Sequence, residues 1–155
     1  MQSTSYSIGD IEAFASRFYQ GRALLITPYA YTTTFSALTA GSTQSQVINI
    51  AANADFMALM FHHRATTAGT AQTVSNKIAP LVRMLVTDSG SNEQFTNSAV
   101  DIENYSTNGN IINDLPYPRI VSGRSTLTVQ VTSYEASVSL NLDIVIEGCL
   151  VRAYS

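Results

Sequence analysis

The only imidazoles in the chain are two adjacent histidines, His62 and His63, and they set the first limit on its chemistry. Neighbouring side chains on a strand point to opposite faces, so this pair does not chelate one ion, and no Cys, Asp or Glu stands beside it at ligand spacing. They read as structural histidines near a strand end. Asp88-Ser-Gly-Ser-Asn-Glu93 has the acidity of a calcium loop but lacks the alternating ligand positions and the distal bidentate glutamate. It reads as a turn, with Gly90 able to take positive φ and Asp88 bonding forward to backbone amides. Serines are many, yet no Gly-x-Ser-x-Gly elbow exposes one as a nucleophile. Asp101 with Glu103, and Asp143 with Glu147, read as solvated or ion-paired carboxylates, because glycosidase chemistry needs two acids facing each other across a cleft. Cys149 closes an apolar run and reads as a buried small hydrophobe. This inventory assigns no catalytic residue, no cofactor site and no metal ligand, and the expectation is a protein that is not an enzyme.

Aromatic side chains are more informative. There are 8 Tyr, 6 Phe and no Trp. Tyr29, Tyr31, Tyr117 and Tyr134 fall at expected strand edges or bends, where a ring can bury its body and offer its hydroxyl to a partner. Arg83, Arg119 and Arg124 can pair with a neighbour's carboxylates or with this chain's own, the latter as ordinary surface ion pairs.

The elements that must position these residues are mostly strands. Leu127, Val129 and Val131 alternate with Thr and Gln, and Val138, Leu140, Leu142, Ile144 and Ile146 alternate mainly with Ser, Asn and Asp. That period of two marks strands buried on one face, and the two runs, joined around Tyr134-Glu135, are expected to form a hairpin. Earlier strands are expected at Ala23–Thr27, Tyr29–Phe35, Gln46–Ile50, Phe56–Phe61 and Ile78–Thr87. Surface loops are expected at Ala65–Ser75 and Asn104–Asn113. One helix is expected at Asp10–Tyr19, capped by Asp10 and stopped by Gly21, with Ile11, Phe14, Ala15 and Phe18 on one face. About eight strands without interleaved long helices give an all-β fold, an antiparallel β-sandwich of jelly-roll type with a short N-terminal helix. Residues 1–21 are expected as an arm carrying the helix and 22–155 as the sandwich domain.

Composition narrows the partners. Charged residues make up 12% of the chain, about half the ~25% usual in soluble domains. The formal net charge of −3 supplies no basic field for phosphates, which excludes generic nucleic-acid binding. No apolar run reaches the ~18 residues of a membrane-spanning helix, and the first residues lack the pattern of a secretory signal, so synthesis in a cytoplasm is expected. A weakly charged surface of Ser, Thr, Asn and Gln suits contacts between copies or a place outside cells, and composition alone does not separate the two.

Several motifs follow one another in order: an apolar strand ending Ile26-Thr27-Pro28, the Asp55-Phe56 opening, Leu85-Val-Thr-Asp88-Ser-Gly-Ser, Leu115-Pro-Tyr-Pro-Arg119-Ile, Ser125-Thr-Leu-Thr-Val129, and a long strand closing on Glu147-Gly148. This order resembles the small β-sandwich structural proteins of tailed bacteriophage virions. The resemblance covers most of residues 23 to 150. It implies a non-enzymatic, multi-copy virion part, a capsid decoration or cement protein or a collar component, that forms homo-oligomers and contacts other virion proteins. The expected interface residues are Ile11, Phe14 and Phe18 on the arm and Tyr29, Tyr31 and Tyr117 on the sandwich rim. The alternative is a glycan- or receptor-binding module of a phage tail or surface appendage on the same scaffold, with its site in the loops.

Overall fold

The computed structural model describes residues 5–69, 77–104, 106–107 and 114–154. Helix α1 (Ile8–Phe18) precedes strands β1 (Leu24–Leu38), β2 (Thr43–Asn49), β3 (Asp55–Thr67), β4 (Lys77–Ile78), β5 (Val82–Asp88), β6 (Glu93–Gln94), β7 (Val100–Asp101), β8 (Ser106–Thr107), β9 (Asp114–Val121), β10 (Thr126–Ser133) and β11 (Leu140–Ala153). One sheet runs β1-β11-β3, with β9, β8 and β4 paired in turn along the far side of β3. The second runs β2-β10-β5, with β6 and β7 on the far side of β5. Apart from the two-residue parallel pairing of β8 with β3, every pairing is antiparallel. Successive long strands alternate between the sheets, which is the wrapping of a jelly roll.

Between the sheets lies a core that includes Phe35, Phe56, Phe61, Met84, Leu127, Val129, Leu142, Ile144 and Ile146. The alternation read in the sequence is what builds it: Leu127, Val129 and Val131 of β10 and Leu140, Leu142, Ile144 and Ile146 of β11 are all fully buried. The two runs do not form a hairpin, however. β10 pairs with β2 and β5, and β11 pairs with β1 and β3, so the residues from Tyr134 to Ser139 cross from one sheet to the other. Both strands are central in their sheets, with neighbours on each side, and both turn an apolar row into the shared core. Period two reports a buried face without saying which neighbour lies alongside.

Strand β3 is longer than the sequence suggests and is buried without interruption from Phe56 to Phe61. Ala65–Thr67, read as the start of a loop, end β3, and the rest of that expected loop from residue 70 onward lies outside the described residues. Most of the expected Asn104–Asn113 loop lies outside them as well. Burial on both faces of β3 has a direct cause. Phe56, Ala58 and Phe61 face the sandwich core, while Met57 and Leu59, with Cys149 and Val151 of β11, face outward beneath α1.

The helix starts two residues before the expected position. Ser7 is its N-cap, its hydroxyl accepting from Asp10 N–H at 3.0 Å while the Asp10 carboxylate accepts from Ser7 N–H at 3.1 Å. Asp10 is thus the reciprocal partner in a capping box, a role open to a short acidic side chain three positions into the helix. Gln20 and Gly21 take positive φ and end it. Phe14 and Ala15 are buried on the sheet, and Tyr6, Ile11 and Tyr19 pack around them. The Tyr19 hydroxyl donates to Asp55 Oδ2 at 2.6 Å, and Asp55 Oδ1 accepts from Gly123 N–H at 2.8 Å, tying the helix end to β3 and to the turn before β10. Burial, then the Asp55 hydrogen bond and charge, push the Tyr19 phenol far above its ordinary range. The apolar side of the expected arm is therefore engaged by its own sheet.

Where β11 passes β3 the register shifts between Glu147 and Gly148. A Cβ on Gly148 would lie 1.8 Å from Met57 O and 2.9 Å from Met57 C. Backbone cannot yield as a side-chain tip can, so Gly148→Ala is expected to destabilise the fold by about 1–3 kcal/mol or more. Thermal unfolding checks this; an unchanged Tm would mean that the two strands do not approach so closely.

Candidate functional site

The expected interface residues separate into two groups on opposite sides of the sandwich. Phe14, Phe18 and Tyr117, far apart in sequence, meet in one cluster: Phe14 packs edge-on against Tyr117 with ring centres 5.1 Å apart and lies 6.3 Å from Phe18. Phe14 is only 8% exposed, whereas Phe18 is 54% and Tyr117 69% exposed. Phe14 and the half-buried Ile11 therefore hold the helix on its sheet, and Phe18 and Tyr117 are the rings left exposed to solvent. These rings border a groove of about 960 Å³ between α1, β9 and the β5–β6 hairpin.

The polar side of this groove is internally braced. Arg119 Nη2 donates to Glu93 Oε2 at 3.0 Å, and its guanidinium lies over the Phe95 ring, 4.3 Å from the centre. Asp88 accepts from Gly90 N–H at 2.8 Å and from the Ser91 hydroxyl at 3.1 Å, the forward bonding read from the sequence. All three arginines have partners within the chain. Arg83 faces Asp101 at 3.9 Å, and Arg124 Nε donates to Ala52 O at 3.4 Å. Exposed pairs of this kind contribute about 0–1 kcal/mol each.

Tyr29 and Tyr31 lie on β1, in the strand at the other end of its sheet, 5.0 Å apart and nearly perpendicular. Tyr31 also packs edge-on against Phe56, and its hydroxyl accepts from Ala51 N–H at 3.0 Å. It is half-buried and packs against the core. Tyr29, 43% exposed, is the ring that reaches solvent on this flank.

The flank carries a feature that the aromatic inventory missed. From Ala23 to Ala54 the chain has no charged residue, and this stretch supplies both β1 and β2, the strands that end the two sheets on one side. An interruption in charge this long is visible in the sequence. That it forms a single side of the molecule is visible only in the strand order.

The histidines part as expected. His63 points inward, is buried, and its Nδ1 lies 2.8 Å from the Ser106 hydroxyl. His62 points outward, with Nε2 3.4 Å from Glu147 Oε2, their side chains 13% and 8% exposed. Arg64 Nη2 holds Asp143 at 2.6 Å on the same outer face. Among the described residues no three His, Cys, Asp or Glu side chains gather where they could hold a metal ion, and no helix is long and apolar enough to cross a membrane. Cys149 is buried under α1 and burial raises its thiol pKa, which keeps it protonated and unreactive.

No protein-family model matches the chain, and no curated protein matches it.

Burial lowers the His63 pKa from the ordinary 6.5; Glu103 opposes this shift and His62 adds to it. The neutral ring is thus the folded form, and the unfolded chain takes up a proton at higher pH than the folded one. The His63 contribution is fully present above pH 6.5 and is lost as pH falls through the depressed folded value. Denaturant unfolding at stepped pH is expected to show this loss, and His63→Gln to flatten it. An equal acid slope in the variant would assign the slope to other groups.

Proposed function

We propose that this chain is a non-enzymatic structural subunit of a tailed-bacteriophage virion, present in many copies as a capsid decoration or cement protein or as a collar component. The observation that carries the reading is the charge-free flank from Ala23 to Ala54, which closes one side of the sandwich with two strands and no ionised group. Isolated soluble domains hold themselves apart with mixed surface charge, and end strands in particular are usually marked with it. A flank without charge meets a copy of itself at no electrostatic cost.

Supporting this is the distribution of exposed rings. Phe18 and Tyr117 stand on one side and Tyr29 on the other, each backed by a more enclosed aromatic neighbour, the buried Phe14 for the first two and the half-buried Tyr31 for the third. A ring fixed from behind loses little side-chain entropy when a partner covers it. Contacts on two sides let one subunit touch two neighbours, and repetition converts modest pairwise affinity into avidity. The Leu115–Ile120 and Ser125–Val129 segments, where the resemblance to phage virion proteins is most specific, form β9 and the start of β10.

A second reading is favoured by the groove. Two exposed rings beside the Arg119–Glu93 pair and the Ser91 hydroxyl offer apolar faces and polar partners together, as a glycan- or receptor-binding module requires.

Light scattering coupled to size exclusion tests the primary reading. A mass several times the 16.7 kDa of one chain, rising with concentration, is expected. A single-chain mass throughout, together with saturable binding on a glycan array lost in Tyr117→Ala, would overturn it in favour of the second.

A further inference from the structure

We infer that β2 is a self-pairing strand: two copies join edge to edge through it, antiparallel, about a two-fold axis at Gln46, extending the β2-β10-β5 sheet continuously from one copy into the next. The inference rests on the multi-copy reading and specifies its contact. Among the described residues no strand pairs with the outer side of β2, and the same holds for β1, β9 and the short β4, β6, β7 and β8. End strands present unpaired N–H and C=O groups, and proteins blunt them with prolines, charges, bulges or shortness.

Every other end strand here carries such a device. β9 has Pro116 and Pro118, with Asp114, Arg119 and a register shift against β3. β4, β6, β7 and β8 are two residues long, and β4, β6 and β7 each have one charged residue. β1 has a register shift between Phe35 and Leu38, with Ala37 at φ 51°, and it has Pro28. Tyr154 N–H donates to Ala23 O, so odd-numbered β1 residues bond β11, and Pro28 places its missing donor on the open side. β2 has none of these. Thr43-Gln-Ser-Gln-Val-Ile-Asn49 contains no charge, proline or glycine and runs in unbroken register with β10.

The direction of its backbone groups fixes the pairing. Ser42 O accepts from Ser133 N–H at 2.9 Å, and Ile50 N–H donates to Ser125 O at 3.0 Å, bracketing the strand. Residues that exchange bonds with one neighbour alternate with residues that face the other way. Gln44, Gln46 and Ile48 therefore bond β10, and Thr43, Ser45, Val47 and Asn49 aim their N–H and C=O groups at the open edge. Full overlap of two such strands about Gln46 sets Ser45 opposite the copy's Val47 and Thr43 opposite its Asn49, so every outward residue meets an outward residue and about eight main-chain bonds close. Any pairing that set odd residues against even ones would leave them open. Val47, 56% exposed, gains cover from the copy's strand, and Ile48 stays in its own core. Tyr29 flanks the end of β2, through Tyr31 and its bond from Ala51 N–H.

Three variants of the full chain test this. Ser45→Pro removes an outward donor at a position where proline leaves the β10 ladder intact, and Val47→Lys puts a charge on the edge. Both are expected to lower the assembled mass at least two-fold in sedimentation, with unfolding temperatures close to the parent's. Gln46→Cys is expected to give a covalent dimer under mild oxidation, because the two-fold sets it opposite itself with Cα atoms about 4.5 Å apart, within disulfide reach. Gln44→Cys, opposite the copy's Ile48, is expected not to cross-link, and Cys149 is buried. A parent that assembles while neither edge variant changes its mass and Gln46→Cys stays uncrosslinked would overturn the pairing and leave the multi-copy reading standing. A parent that remains a single chain would overturn both.

Discussion

Each strand of a sheet carries two rows of main-chain donors and acceptors, and a strand with one neighbour leaves a row to water or to a partner. Two stacked sheets multiply the problem, since both have two ends. In this protein the ends on one side are broken into short pieces or interrupted by Pro116 and Pro118, and the braced Arg119–Glu93 pair joins them. The ends on the other side are long strands without charge, one bent by a bulge and the other straight. This asymmetry gives the molecule one side guarded by short, interrupted or charged strands and one side without charge.

The faces are asymmetric as well. The β1-β11-β3 sheet is covered by the core on one face and, over Met57, Leu59, Cys149 and Val151, by α1 on the other. The β2-β10-β5 sheet buries only its core face, and its outer face presents Thr126, Thr128, Gln130 and Thr132 along β10. Doubly covered strands supply rigidity, which is why Gly148 and Met57 can be packed backbone to backbone. The singly covered sheet is the one whose end strand, β2, carries no proline, charge or bulge. Extending it by a copy adds to an existing ladder and disturbs no packed layer.

Much of this was legible in the sequence, and the reasons for the gaps are physical. Alternation in Leu127–Val131 and Leu140–Ile146 revealed buried faces because each strand turns one row into the core. It could not reveal that consecutive strands belong to different sheets, since alternation is the same whichever strand lies alongside. Phe56–Phe61 was read as a strand although burial on both faces erases its period, and the far end of β3 was hidden because Ala65, Thr66 and Thr67 are small or polar residues that resemble loop. Splitting of His62 and His63 followed from strand geometry alone. Phe14, Phe18 and Tyr117 were recognisable as anchors one by one, yet their convergence depends on α1 lying across the sheet beside β9. Gln46–Ile50 was read as a strand, but its start at Thr43 and its place at the end of a sheet were missed, because polar Thr, Gln and Ser give no period and only the strand order shows an edge.

The most direct measurement is amide exchange at single-residue resolution along β2, at concentrations above and below assembly. Gln44, Gln46 and Ile48 donate to β10 and are protected in both conditions. The account expects Ser45, Val47 and Asn49 to be protected only when copies are paired and to exchange rapidly on dilution. Rapid exchange of these three amides in the assembled protein would contradict it, because the open row would then still face water.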